Sequence, residues 1–392
     1  MNVVLTRTEA ENALGVTLPH GRMEEWKWTN LRTLIDKPYP PRLQVEVQPV
    51  DVARINAASP FAAVAATRMV FVNGHYDVLH SKMPNGAAAS RAPLDEPVIA
   101  MNAAFADDGA KLLLSGTVDT PIELVFITTD GAPRTIATRN VIEIAAGSSV
   151  TLVETHLGEG AYINNSVTEI HLGEGARLDR LKVEHDAANA VHLAHTHVTL
   201  AANAKLREFT LTSGARVNRQ NGTYAFTGEN ADAKVAGAYL LAGKQHADTR
   251  LVVDHQVPNC VSRELFKCVM DDHARGIFQG KVIVRPDAQK TDGKQSSHAL
   301  LLSETAEFDA KPELEIFADD VVCGHGATSG DLNHEYLFYL MSRGIPKAQA
   351  KSLLIAAFVG EAFDAIEHDG LREAMVGYAE TWLTHHRKGG AA

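Results

Sequence analysis

Residues 142–150, IEIAAGSSV, repeat their pattern at 170–178, IHLGEGARL, and again at 198–206, VTLAANAKL. In each, apolar residues alternate, a turn residue and a small residue follow, and another apolar residue restarts the run. The turn residues are Gly147, Gly175 and Asn203, so the separations are 175 − 147 = 28 and 203 − 175 = 28. The same step places later turns at Ala231, Asn259 and Asp287, with half-step echoes at Gly160 and Gly214. A fixed period between about 20 and 50 residues marks a solenoid or propeller, and short strands that never alternate with helices select a β-helix. One coil has too few contacts to bury its inward side chains, whereas coils stacked about 4.8 Å apart bury a continuous column and pair the backbone along it. About seven coils fit, a rod on the order of 35 Å long by that spacing. Its ends leave strand edges unpaired, and such edges need a cap or a partner.

This texture divides the chain into an N-terminal helical or mixed region, 1–116, a β-helix core, 117–331, and a C-terminal helical domain, 332–392. In the first, GRMEEWKWTNLRTL (21–34) spaces Trp26, Trp28, Leu31 and Leu34 as a helix with an apolar side, and KPYPPRL (37–43) stops it. The two tryptophans read as packing against the main body. A loop rich in Ala, Pro and Gly is expected from about Ser81 to Pro97. In the last region, DLNHEYLFYLMSRG (331–344) puts Leu332, Tyr336 and Tyr339 at helical spacing and stops at Gly344. Pro346 then opens a second helix whose Leu353, Leu354, Ala357, Phe358 and Phe363 form a wide apolar stripe, and a third runs from Leu371 with its bases at its end.

Apolar residues make up 45% of the chain, ample for a core, and the formal net charge is −11. Without a Lys/Arg-rich run, that balance argues against sequence-independent nucleic-acid binding. Cys260, Cys268 and Cys323 are an odd set with no C-x-x-C pair, so neither a disulfide framework nor a self-sufficient zinc or iron–sulfur site follows from spacing. The first fifteen residues lack the features of a signal peptide, and SLLIAAFV (352–359) is far too short to span a membrane. A cytoplasmic protein is expected.

In HTHVTL (195–200), Val198 and Leu200 share the core-facing parity, which places His195, His197 and Thr199 on the outer face as a solvated surface rather than a ligand pair. The segment 243–284 concentrates His246, His255 and His273 with Cys260 and Cys268, each read as a buried group satisfied by its neighbours. Ser262 and Ser296 have no nucleophile elbow, and no phosphate-cradling loop occurs. DDVVCGHGATSGD (319–331) remains. If extended, it points Cys323 and His325 the same way, about 6.6 Å apart. A thiolate and an imidazole suit iron, copper or zinc, but such sites generally need three or four ligands. The pair is half a site that a second chain meeting the rod end would complete, or a glycine-rich turn in which Cys packs and His caps.

Long segments resemble the SufB/SufD family of iron–sulfur cluster assembly scaffolds. EEWKWTNLRTL (24–34) resembles its N-terminal signature, 254–284 with 287–328 its core block, and LFYLMSRGIPKAQAKSLLIAAFVGE (337–361) its C-terminal block. The resemblance implies a mainly β fold, a right-handed parallel β-helix flanked by N-terminal and C-terminal helical regions. It implies a non-catalytic scaffold whose rod end pairs with SufB, or with a second copy when isolated. It also implies that the C-terminal helices dock the ABC-type ATPase SufC, in a complex of one copy of each scaffold and two SufC. His325 would lie at the SufB interface and assist assembly of a transient iron or iron–sulfur cluster, with Cys323 close by and no cofactor held tightly in isolation. A reduced flavin is a candidate electron donor to that complex. SufB reads H-E-A-T where this chain has Gly326, and SufB carries a cysteine where this chain has GKQSSHALLL (293–302). Two rival readings stand beside this one: a polysaccharide-acting β-helix enzyme, which would need paired acids along the outer groove, and a purely structural adaptor.

Overall fold

A computed structural model describes residues 9–35, 37–41, 49–82, 97–106 and 108–389; most of the expected Ala/Pro/Gly loop lies outside them. The chain is mainly β, a parallel β-solenoid with helices toward both termini. Its strands alternate between a ten-stranded and an eight-stranded sheet, so each coil gives one strand to each. Apart from the small antiparallel pair Thr67–Val72 with His75–Tyr76, every ladder is parallel. The eight-stranded sheet counts eight turns, one more than expected, because Lys111–Leu114 already pairs with the strand Arg134–Ile144. Thr67–Val72 extends the other sheet by pairing with Thr117–Thr128, which the periodicity did not announce.

Parallel, in-register stacking produces columns of side chains. One inner column runs Ile144, Leu172, Leu200, Phe226, His255, Val284 and Ile316. The turns that let coils stack carry left-handed residues at Gly147, Gly175, Asn203, Asn230, Asn259 and Lys290, with φ between 60 and 67°. Gly and Asn adopt that region at least cost. The projected turns at Ala231 and Asp287 are therefore corrected to Asn230 and Lys290. The steps become 230 − 203 = 27, 259 − 230 = 29 and 290 − 259 = 31, one shorter coil followed by longer ones toward the rod end. At these corners the left-handed residue donates its N–H to a carbonyl of the next coil: Gly147 to Glu174 at 2.8 Å, Gly175 to Ala202 at 2.8 Å, Asn203 to Glu229 at 2.9 Å. Farther along, Asn259 donates to Gln289 and Lys290 to Asp320. Of the half-step echoes, Gly160 has φ +85°, but at Gly214 the left-handed residue is its neighbour Ala215. Gly214 is required instead by contact, since a Cβ there would sit 2.4 Å from the Asp186 nitrogen.

Three apolar layers follow from this geometry. Inward residues fill the lumen. On the outer face of the ten-stranded sheet, Leu181, Val183, Phe209, Leu240, Val269 and Leu300 pack under Ile355, Val359, Phe363, Leu371, Met375 and Trp382 of the C-terminal helices. On the other sheet, Ile163, Val191, Leu193 and Val217 pack under Trp26, Leu31 and Tyr39. Trp26 is buried as expected, with the Arg219 guanidinium 4.6 Å from its ring centre. The expected single helix over 21–34 is instead a short 3₁₀ turn, Glu24–Trp26, and one helical turn, Leu31–Leu34, capped by Asn30.

The C-terminal helices are His334–Ser342, Lys347–Phe363 and Asp369–Gly389. Asn333 caps the first, accepting from the Glu335 and Tyr336 amides, and Gly344 at φ +86° ends it. Its packed residues are Leu332 and Leu337, while Tyr336, Phe338, Tyr339 and Met341 face outward. In the second, Ile355, Val359, Ala362 and Phe363 bury and Leu353 is exposed, so the buried stripe is rotated from the one expected. Among the described residues, no helix is long and apolar enough to cross a membrane.

Candidate functional site

Strand Val322–Gly330 ends the ten-stranded sheet, and Glu307–Ile316 ends the other. Neither has a following coil. The mouth of the lumen is bordered by the partly buried Phe308 and Leu314 and the exposed Ile316 and Phe317. Cys323 and His325 lie on this terminal strand. Register places Cys323 over Gly293 and Ser262, and His325 over Gln295 and Glu264. Gly293, Ser262, Gln295 and Glu264 are all inward and buried, so both site residues face the mouth. The Cys323 thiol is half-buried, and burial raises its pKa, with Asp292 and Glu264 adding to the rise against a backbone hydrogen bond at Gly293. His325 is exposed. A Cβ on Gly293 would lie 3.4 Å from Ser262 Oγ and 3.6 Å from Cys323 Sγ. Its absence leaves the thiol open to the rung beneath.

Among the described residues, no group of three or more His, Cys, Asp and Glu side chains is placed to hold a metal ion. Cys323 and His325 carry a thiol and an imidazole, side-chain types of the soft-to-borderline class, at an unfinished edge.

The other nominated residues scatter. His255 is buried, stacked on Phe226 with centroids 4.3 Å apart and 3.2 Å from Ser262 Oγ, and burial drops its pKa to about 4. His246 is buried on the outer face against Thr29 at 3.0 Å, whereas His273 is exposed at a corner. Cys260 and Cys268 are buried, and burial pushes both thiols up. The solvated face expected for the H-T-H run is corrected: His195 is buried and His197 half-buried. The outer side of that strand is where the N-terminal segment packs on Val191 and Leu193, and burial pushes His195 down to about 4.

Sequence reasoning missed a polar lumen. Arg180 bridges Glu154 at 2.7 Å and Glu208 at 2.8 Å. His192 lies between Glu184 at 3.1 Å and Asp186 at 2.9 Å. Burial opposes its charge, but the two carboxylates outweigh that and lift it to about 9. Beside it, burial and the His192 and Lys182 charges drive His156 down to about 3. Toward the mouth lies Glu264, 3% exposed. Burial raises its pKa to about 8; the Ser262 hydroxyl and Arg263 offset only part of this, and neither carboxyl oxygen has a hydrogen bond of good geometry. Parity is the signal for these residues, because Arg180, Lys182, Glu184 and Glu264 occupy inward positions.

The description of the SUF-system iron–sulfur cluster assembly SufBD core domain matches residues 126–358. The chain belongs to the SufBD family. A SufBD family protein of Synechocystis is 31% identical over 93% of this chain and 87% of its own length. The iron–sulfur cluster assembly protein SufD of Escherichia coli is 29% identical over 93% and 89%. SufD of Bacillus subtilis is 40% identical over 29% of this chain and 26% of its own length. The SufBD core match ends inside the helix Lys347–Phe363, so it takes in the terminal strand and the first of the C-terminal helices.

Proposed function

We propose that this chain is the SufD-type, non-catalytic scaffold of a SufB–SufC–SufD complex in the cytoplasm. Its rod end pairs with SufB, or with a second copy when isolated, and its C-terminal helices receive the SufC ATPase. Cys323 and His325 then form half of an interfacial site for transient iron or an iron–sulfur cluster, completed by the partner. The observation that carries this reading is the placement of both side chains, one half-buried and one exposed, at the open mouth of an unfinished coil. Outward-facing Tyr336, Phe338, Tyr339, Met341 and Leu353 support helix docking, since such a patch favours a partner. ATP-driven closure of SufC would load these helices and open the rod end to iron and sulfide, with His325 acting as neutral ligand or proton carrier. A reduced flavin is the proposed electron source, with no site assigned to it on this chain.

The enzyme alternative is disfavoured because several outer acids are paired with bases: Asp232 with Arg207 at 2.8 Å, Asp309 with Arg275 at 2.7 Å, Glu315 with Lys281 at 2.6 Å. The deciding experiment is His325→Ala in the reconstituted complex. Loss of cluster formation with SufC binding intact is expected; undiminished assembly would favour a purely structural adaptor.

A further inference from the structure

The outward positions of the terminal strand are Val322, Gly324, Gly326, Thr328 and Gly330. A Cβ added at any of the three glycines would meet nothing within 4 Å, so packing does not require them. Thr328 is thus the strand's one outward side chain able to hydrogen-bond. It is engaged: its hydroxyl lies 2.7 Å from His298 Nδ1, one rung back in the same ladder. One rung further, His298 stands over Lys267.

Lys267 is unusual for a lysine, being 5% exposed on the outer face of the ten-stranded sheet. A buried ammonium is costly unless paired. The helix Lys347–Phe363 supplies two groups to it: the Glu361 carboxylate at 2.5 Å and the Phe358 ring, whose centre is 4.7 Å away. His298 feels the same charges, since burial first, then Lys267, hold its pKa down while Glu361 opposes them. A line of neighbours therefore runs from the helix to the strand that bears Cys323 and His325: Glu361 on Lys267, Lys267 and His298 at adjacent positions of the ladder, and His298 on Thr328.

We propose that Glu361, Lys267, His298 and Thr328 form a linkage that fixes the terminal strand relative to the helix, so that a load on the helix reaches the strand. Withdrawing the helix takes both the Glu361 carboxylate and the Phe358 ring away from Lys267 and bares its ammonium to water, so the linkage is made only while the helix is seated. These are positioning residues; none faces the mouth. The inference deepens the assembly reading and rests on it for the meaning of the load, but the contacts can be tested without any partner.

The test is hydrogen exchange by mass spectrometry over residues 322–330 in the isolated full chain. Glu361→Gln, Lys267→Met and Thr328→Val are each expected to raise exchange there by about five-fold, the loss of one net hydrogen bond. Because the contacts act in series, Lys267→Met combined with Thr328→Val should exceed Thr328→Val alone by little, and Lys267→Arg should restore protection. Loosening by Thr328→Val with no effect of Glu361→Gln or Lys267→Met would overturn the linkage, as would effects that simply multiply. If the strand loosens as expected while the reconstituted complex still assembles clusters at the normal rate, the linkage stands and its use in assembly fails; the scaffold reading itself falls only to the His325→Ala test.

Discussion

Replacing Glu264 by Gln should stabilise this protein, although it removes a charged residue type from a buried position. The carboxyl is sealed in the lumen, its oxygens lack well-formed hydrogen bonds, and its pKa is raised from 4.5 to about 8. Below pH 4.5 the acid is protonated whether the chain is folded or not, and it carries no ionisation penalty. Between 4.5 and 8 the unfolded chain ionises while the folded chain keeps the proton, so stability falls as pH rises through this window. At pH 7 the gap is 7 − 4.5 = 2.5 pH units, worth about 3 kcal/mol, and above pH 8 it levels off at about 5 kcal/mol. Glutamine keeps the shape and polarity of the neutral acid and removes only the ionisation. Urea unfolding followed by tryptophan fluorescence at pH 5, 7 and 9 should show the variant's advantage growing with pH. An advantage independent of pH, or none at pH 9, would refute the reasoning.

His192 works in the opposite sense. Its pKa, raised to about 9 between Glu184 and Asp186, means that its contribution is fully present below about 6.5 and is lost as pH rises through about 9. His192→Gln should cost roughly 3–5 kcal/mol at pH 6, as breaking a buried ion pair does, and much less at pH 10, read from unfolding midpoints. Two glycines separate backbone strain from contact. Gly147→Ala faces open space at φ +67° and should cost about 1–2 kcal/mol. At Gly228 an added Cβ would lie 1.9 Å from the Ala202 nitrogen, so Gly228→Ala must push two coils apart and should cost several times more by the same assay.

The coil architecture was legible because stacking demands the same turn at the same place, and that demand is written as Gly147, Gly175 and Asn203. It faded where the coil length changed: a strict step of 28 lands on Ala231, one past Asn230 where the coil is shorter, and on Asp287, three short of Lys290 where it is longer. Local patterns misled where another segment covers the surface. On the strand Arg177–His185, Arg180, Lys182 and Glu184 point inward and Leu181 and Val183 outward, the reverse of an ordinary half-buried strand. The reversal exists because the lumen there is an ion network and the outer face lies under the C-terminal helices. On the other sheet His195 is buried where alternation suggested water, because the N-terminal segment covers that face. Alternation did place Cys323 and His325 on a common face, since only two positions separate them. Glu264 escaped notice because nothing in its neighbours in sequence reveals that Gln295 and His325 stand in the same column above it.

The corner hydrogen bonds give the rod a direction of dependence. Gly147, Gly175 and Asn203 each rely on a carbonyl from the coil synthesised after their own. A nascent chain therefore cannot close one corner until roughly another coil has left the ribosome, so completed structure trails synthesis by a turn. The last coil, having no successor, inherits that incompleteness permanently.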